Sequence, residues 1–221
     1  MAMNLELARQ NMIEQQVRPW AVLDADVLNV LARVPREDFV PAAYRQLAFA
    51  DLALPIGHGQ VMLKPVIEGR LLQALALQPH ESVLEIGTGS GFLTACLAAL
   101  VPAGKVLSLD IEPDFIAQAA PKLLSAGFRH VELLAADAFG DSLPQQSFDA
   151  IVLSGASARI PQDFLHWLKP GGRLFVIHGQ SPAQKAVLLT RGQGSEIRED
   201  ELFETDVPYL THAEPSRQFV F

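Results

Sequence analysis

The run Val83-Leu84-Glu85-Ile86-Gly87-Thr88-Gly89-Ser90-Gly91-Phe92 sets three glycines at alternate positions directly after a short apolar stretch. Glycine lets a backbone turn sharply and approach a ligand closely, because no Cβ stands between them. Taken alone, such a loop serves a phosphate, a dinucleotide or an ordinary tight turn. Three details narrow the choice. Phe92 stands where the dinucleotide fingerprint G-x-G-x-x-G needs glycine or alanine. Glu85, two positions before the first glycine, would repel a pyrophosphate and attract an ammonium or sulfonium. No Gly-Lys-Ser/Thr follows, so a Walker loop is excluded. Gly87, Thr88, Gly89, Ser90 and Gly91, with Glu85 beside them, therefore suit a cationic adenosyl ligand. The expected cofactor is S-adenosyl-L-methionine, with S-adenosyl-L-homocysteine as its product.

The downstream acids agree. Asp110, followed by Ile111, ends the next apolar run. Alone it reads equally well as a helix-capping acid; in register with the glycine loop it can accept both hydroxyls of a ribose. Asp137 and Ala138 follow the third run and can hold an adenine edge, though a turn-forming Asp would look the same. Ser154 ends the fourth run, next to where a methyl acceptor should lie.

These residues need strands and helices to hold them. Ser82–Ile86, Val106–Leu109, Val131–Leu134, Phe148–Leu153 and Arg173–Ile177 are short, rich in Val, Ile, Leu or Phe, and read as strands. Phe92–Val101, Asp114–Ala126 and Gln162–Leu168 fit helices between them. Pro121 falls inside the second, so that helix is either bent or two short ones. Strand–helix alternation implies a mostly parallel sheet with helices on both faces. Lys169-Pro170-Gly171-Gly172 reads as a type II turn. Ala186–Thr190 and Gln218–Phe221 read as strands with no long helix between them, which predicts an antiparallel edge hairpin. Residues 1–78 read as helical: Leu5, Ala8, Met12 and Ile13 recur at helical spacing, Asp24 is a candidate N-cap, and Pro65 suits a first helical turn. These N-terminal helices are expected on the C-terminal edge of the sheet. The expected fold is α/β and Rossmann-like, with a seven-stranded sheet. Residues 1–221 read as one domain: a helical extension over 1–78 and a cofactor-binding core over 79–221.

Composition sets outer limits. Among 221 residues, 49% are hydrophobic and 19% charged, which excludes whole-chain disorder. A net charge of −8 argues against a nucleic-acid partner, since duplex affinity comes from Lys and Arg on phosphates. The lone Cys96 permits neither an internal disulfide nor a CxxC site, and the six histidines form no HxH or HExxH pattern, so no metal is expected. No apolar run reaches the roughly 18 residues of a spanning helix, and Met1–Arg18 has no signal-peptide character. No membrane partner and a cytoplasmic location are the expectations.

In this order the residues resemble a class I S-adenosylmethionine-dependent methyltransferase. A closer resemblance lies upstream. Val34-Pro35-Arg36-Glu37-Asp38-Phe39-Val40-Pro41, then Tyr44, Ala50-Asp51 and Leu54-Pro55-Ile56-Gly57-His58-Gly59-Gln60, are similar to the N-terminal part of protein-L-isoaspartate O-methyltransferases. The resemblance runs from about Arg9 to Ile177. It implies esterification of isoaspartyl carboxylates in damaged proteins, with a succinimide forming as methanol leaves. It also implies an acceptor site at Gln60, Val61, Leu63 and Lys64. There the chain departs from the pattern: Val61 stands at the family's threonine position and Leu63 at its active-site serine position, so no catalytic residue is assigned. Lys64 and Arg159 are cations that could compensate, or plain surface charges. Ser154–Arg159 replaces a Thr-Ala-Ala-rich stretch, and the tail after Thr190 shows no clear match to the pattern. The departures leave two alternatives open: a paralogue acting on another acceptor such as a small carboxylate, and a cofactor-binding protein without isoaspartyl activity.

Overall fold

The structure is a computed structural model that describes residues 4–140, 147–194 and 196–216. α1 (Leu5–Met12) runs on through a π turn at Ile13–Val17 and a 3₁₀ turn at Arg18–Trp20. α2 (Ala25–Arg33) starts where the Asp24 carboxylate accepts the N–H groups of Asp26 and Val27 at 2.9 and 3.0 Å, as its sequence position predicts. A short α3 (Arg36–Phe39) and a 3₁₀ turn (Ala42–Leu47) follow. β1 (Leu54–Gly57) and β2 (Gln60–Met62) then form an antiparallel hairpin. Its two-residue turn places both His58 (φ 51°) and Gly59 (φ 73°) in the left-handed region, as a type I′ hairpin turn requires. α4 (Pro65–Leu75) opens with proline at its first position, where no N–H is missed.

The core alternates strand and helix: β3 (Ser82–Ile86), α5 (Phe92–Leu100), β4 (Lys105–Asp110), α6 (Pro113–Ser125), β5 (Val131–Ala135), β6 (Phe148–Ser157), α7 (Gln162–His166), β7 (Leu168–His178), β8 (Gln184–Arg191) and β9 (Ile197–Thr205). The seven strands lie in the order β5-β4-β3-β6-β7-β8-β9. β5 through β7 are parallel; β8 and β9 are antiparallel additions at one edge. Residues two apart face the same way. Val83, Val106, Ala150, Val152, Phe175 and Ile177 join one apolar cluster, and Leu84, Ile86, Leu107, Leu109, Ile151, Leu153 and Leu174 join the other.

Two expectations are corrected. The N-terminal helices pack mainly on a face of the sheet, and only the start of α4 reaches its C-terminal edge. Met12, Val17, Leu31 and Leu71 share the first cluster with α5 and the sheet face, because their apolar stripes find unclaimed sheet there. The partner of β8 in the edge hairpin is β9, Ile197–Thr205; Gln218–Phe221 lies outside the described residues. Of the two forms left open for the segment around Pro121, one bent helix or two short ones, the structure has a single helix, α6. The Ala117 carbonyl that Pro121 deprives of its donor belongs to an exposed residue, and water can satisfy it. Residues 169–172, read as a type II turn, lie within β7, where its pairing with β6 shifts register between Leu168 and Arg173 and Gly171 has φ 80°.

Candidate functional site

The strand order reverses direction at β3, with β4 and β5 on one side and β6 and β7 on the other. In open α/β sheets, ligands bind beyond the strands' C-terminal ends at such a point. A cavity opens there. One wall is the glycine loop, Gly87 to Ser90; others are Asp110-Ile111-Glu112, Asp137-Ala138-Phe139 and Ser154. The hairpin and the start of α4 close the top with Ile56, Gln60, Val61, Met62, Leu63 and Glu68.

Most of the sequence-predicted residues meet here, and each is held by a definable contact. The Gly87 and Thr88 N–H groups donate to Leu109 O at 2.8 and 3.0 Å, tying the loop to β4. A Cβ on Gly87 would lie 2.3 Å from Ser154 Oγ, and one on Gly89 would lie 2.9 Å from Ile56 Cδ1, so a side chain at either position would displace a neighbour, on a backbone (φ 98° and 49°) that strains any residue but glycine. The Asp110 carboxylate accepts the Gly89 N–H at 2.8 Å and the Glu112 N–H at 3.0 Å. Burial raises its pKa against those two hydrogen bonds. Each oxygen keeps a lone pair for a ligand hydroxyl. Ser154 Oγ donates to the carbonyls of Ile86 and Gly87 and so braces the loop. Asp137 builds a turn, accepting the Phe139 N–H at 2.9 Å, and pairs with His212 at 2.6 Å. Burial works to raise its pKa, but the Phe139 and His212 contacts outweigh it and the net shift is downward.

Three predicted site residues do not line the cavity. Glu85 is the main correction. A side chain two positions before the turn points through the sheet to the α5 side, where it is fully buried. It accepts the hydroxyls of Thr94 at 2.5 Å and Ser108 at 2.7 Å, and Ser108 pairs with Thr88 at 2.6 Å. Its role is to anchor the loop from behind. Gly91 is the residue before α5, and a Cβ there would meet Ala119 at 2.9 Å. Lys64 is the N-cap residue of α4.

Other residues at the site were not foreseen. Ala156 N–H donates to Pro208 O and Leu210 N–H to Ala156 O, so the tail pairs beside β6 and brings Leu210 and Thr211 to the cavity. Gln60 Nε2 donates to Tyr209 O at 2.9 Å, joining the hairpin to this segment. His58 bridges the hairpin tip to Asp114 at 3.1 Å and Glu112 at 3.5 Å. Glu68 reaches the cavity from α4. No local motif marks it; the packing of α4 over the cavity places it there.

An open, mostly parallel sheet with a glycine turn after its first strand and a ribose-competent acid after its second defines a Rossmann-like domain of the class I methyltransferase type. The family model for protein-L-isoaspartate(D-aspartate) O-methyltransferase matches residues 7–214. A protein-L-isoaspartate O-methyltransferase of Gloeobacter violaceus is 38% identical over 205 residues, spanning 92% of this chain and 98% of its own length. One from Aeropyrum pernix is 37% identical over 194 residues, 87% of this chain and 75% of its own. A Plasmodium falciparum structure, described as a protein-L-isoaspartate O-methyltransferase in complex with S-adenosyl-L-homocysteine, shares the fold. Its TM-score is 0.81, at 19% identity over 95% of this chain and 99% of its own. The chain belongs to the protein-L-isoaspartate (D-aspartate) O-methyltransferase family.

Proposed function

We propose that the chain esterifies the carboxylate of isoaspartyl residues in damaged proteins or peptides, with S-adenosyl-L-methionine as methyl donor. The observation that carries this reading is the cavity at the sheet's switch point, in which a turn of left-handed glycines faces Asp110. Gly87 to Ser90 fit the donor as a close-approach cradle, Asp110 and Ile111 its ribose, and Asp137 and Ala138 its adenine edge. When bound, the donor supplies an activated methyl group on a sulfonium. An isoaspartyl carboxylate is already ionised at pH 7 and needs no general base. The chain's own task is therefore alignment and exclusion of water. Ile56, Val61, Met62, Leu63 and Leu210 make the acceptor end apolar. Gln60 pins the Tyr209 segment over it.

Residues 1–78 then act as the acceptor-side extension of a single domain, and 79–221 as its cofactor-binding core. Among the described residues no helix is long and apolar enough to cross a membrane; a cytoplasmic location fits a substrate drawn from ageing cell protein. Val61 and Leu63 supply no hydroxyl to an acceptor, which favours as a second reading a less polar small carboxylate.

Incubation with methyl-labelled donor separates the readings. Base-labile label on an isoaspartyl peptide, absent from its aspartyl twin, is the expected result. Label on neither peptide but on a small acid would move the function to the second reading.

A further inference from the structure

Glu68 is 1% exposed yet lines the cavity alongside Leu63, Gly87 to Ser90 and Leu93. Its Oε2 pairs with Arg36 Nη1. Among the described residues no hydrogen bond reaches its Oε1, and that atom, unlike Glu85 Oε1, is not among those sealed without a partner. The charges around it do not balance. Arg36 faces Glu68 from α3, with Nε committed to Ala48 O at 2.8 Å and Nη2 to Leu63 O at 2.7 Å. Glu85 from β3 and Cys96 from α5 face the same region. Arg36 thus pairs with Glu68 alone, and the Glu85 carboxyl adds only to the negative side of the balance. Burial pushes Glu68 up to about 7 against the pull of Arg36, and Glu85 up to about 8 against the hydroxyls of Thr94 and Ser108.

A cavity end of this kind accepts a cation. An anion beside Glu68 would be tolerated only while Glu68 keeps its proton. We propose that Glu68 is the counter-ion of the α-ammonium in the amino-acid portion of the methyl donor, and that the arriving ammonium draws its carboxyl fully into the ionised form. This rests on the reading that the cavity takes an adenosyl donor. It gives Glu68 the cation-attracting part that sequence spacing suggested for Glu85. The protonated share of Glu68 gives its proton to solvent as the ammonium arrives, and no bond other than O–H is broken.

The test is calorimetric titration of the full chain at pH 7 in buffers of different ionisation enthalpy, which reads the number of protons exchanged. S-adenosyl-L-homocysteine keeps the ammonium; 5′-methylthioadenosine has no amino-acid portion. The expected result is net proton release with the first ligand and none with the second, read on the unaltered protein. Glu68→Gln, whose carbonyl can still accept from Arg36, should abolish the release. It should weaken S-adenosyl-L-homocysteine by about tenfold to hundredfold, as loss of a charge-assisted contact implies, and leave 5′-methylthioadenosine unchanged. Equal release with both ligands, or wild-type affinity and release in Glu68→Gln, would overturn the assignment of Glu68 alone. Failure of both ligands to bind the unaltered protein would overturn the adenosyl-donor reading, and this inference with it.

Discussion

Glu85→Gln should leave stability nearly unchanged at pH 5 and raise it at pH 9. Glu85 is fully buried, two hydroxyls donate to one of its oxygens, and the other is sealed without a partner. Its pKa rises from 4.5 to about 8, first because burial penalises the charged form. The folded chain therefore keeps this proton to higher pH than the unfolded chain does. The associated stability is fully present below pH 4.5 and is lost as pH climbs through about 8. Integrated from pH 5 to pH 9, the loss is on the order of 4 kcal/mol. At ~2–4 °C per kcal/mol for a chain of this size, that is roughly 10 °C in Tm. Glutamine resembles the protonated acid in shape: its carbonyl accepts from Thr94 and Ser108, and it carries no charge to desolvate. Thermal or urea unfolding of both proteins at matched pH values isolates this group, because other titrations cancel in the difference. A Tm gap that opens steadily in favour of Glu85→Gln between pH 5 and pH 9 is the expected result. Curves that stay parallel across that range would refute the buried, proton-holding account of Glu85.

Asp110→Ala should weaken S-adenosyl-L-homocysteine by roughly 1–3 kcal/mol through lost charge-assisted hydrogen bonds; an unchanged Kd removes Asp110 from the ribose site. Leu63→Ser should lower the KM for an isoaspartyl peptide about fivefold, the worth of one hydrogen bond near 1 kcal/mol; a KM that stays put or rises means the acceptor does not reach that wall. His58 fastens the hairpin to α6, and its hydrogen bond to Asp114 raises its pKa above 6.5. The protonated latch is intact below that pKa and fails as pH rises through it, so the dissociation rate of S-adenosyl-L-homocysteine should rise with pH in the native chain and be fast and pH-independent in His58→Ala. Stopped-flow release that ignores pH in the native chain contradicts the latch.

What could be read from the sequence was whatever local pattern controls. Ser82–Ile86 matches β3 residue for residue, since a buried parallel strand is a short unbroken apolar run. Asp24 and Pro65 marked helix starts because their effects act within one turn. β9 escaped notice because Arg198-Glu199-Asp200-Glu201 is polar on both faces, as suits an edge strand. The β1–β2 hairpin hid behind Pro55, Gly57 and Gly59, which read as breakers although His58-Gly59 makes a tight turn of them. Glu85 was placed in the ligand site by its distance in sequence from the glycines. The pleat sends that side chain through the sheet, and only the pairing register of β3 shows it. Glu68, Leu210 and Thr211 reach the cavity through tertiary packing, which no spacing rule encodes.

The most direct test is an electron-density map of the chain crystallised with S-adenosyl-L-homocysteine. The expected map shows the ribose hydroxyls on Asp110, the adenine between Ile111 and Ala138, and the amino-acid end over Gly87 to Ser90. A ligand bound elsewhere, or a cavity that stays clear at millimolar S-adenosyl-L-homocysteine and fills instead with a pyrophosphate coenzyme, would contradict it.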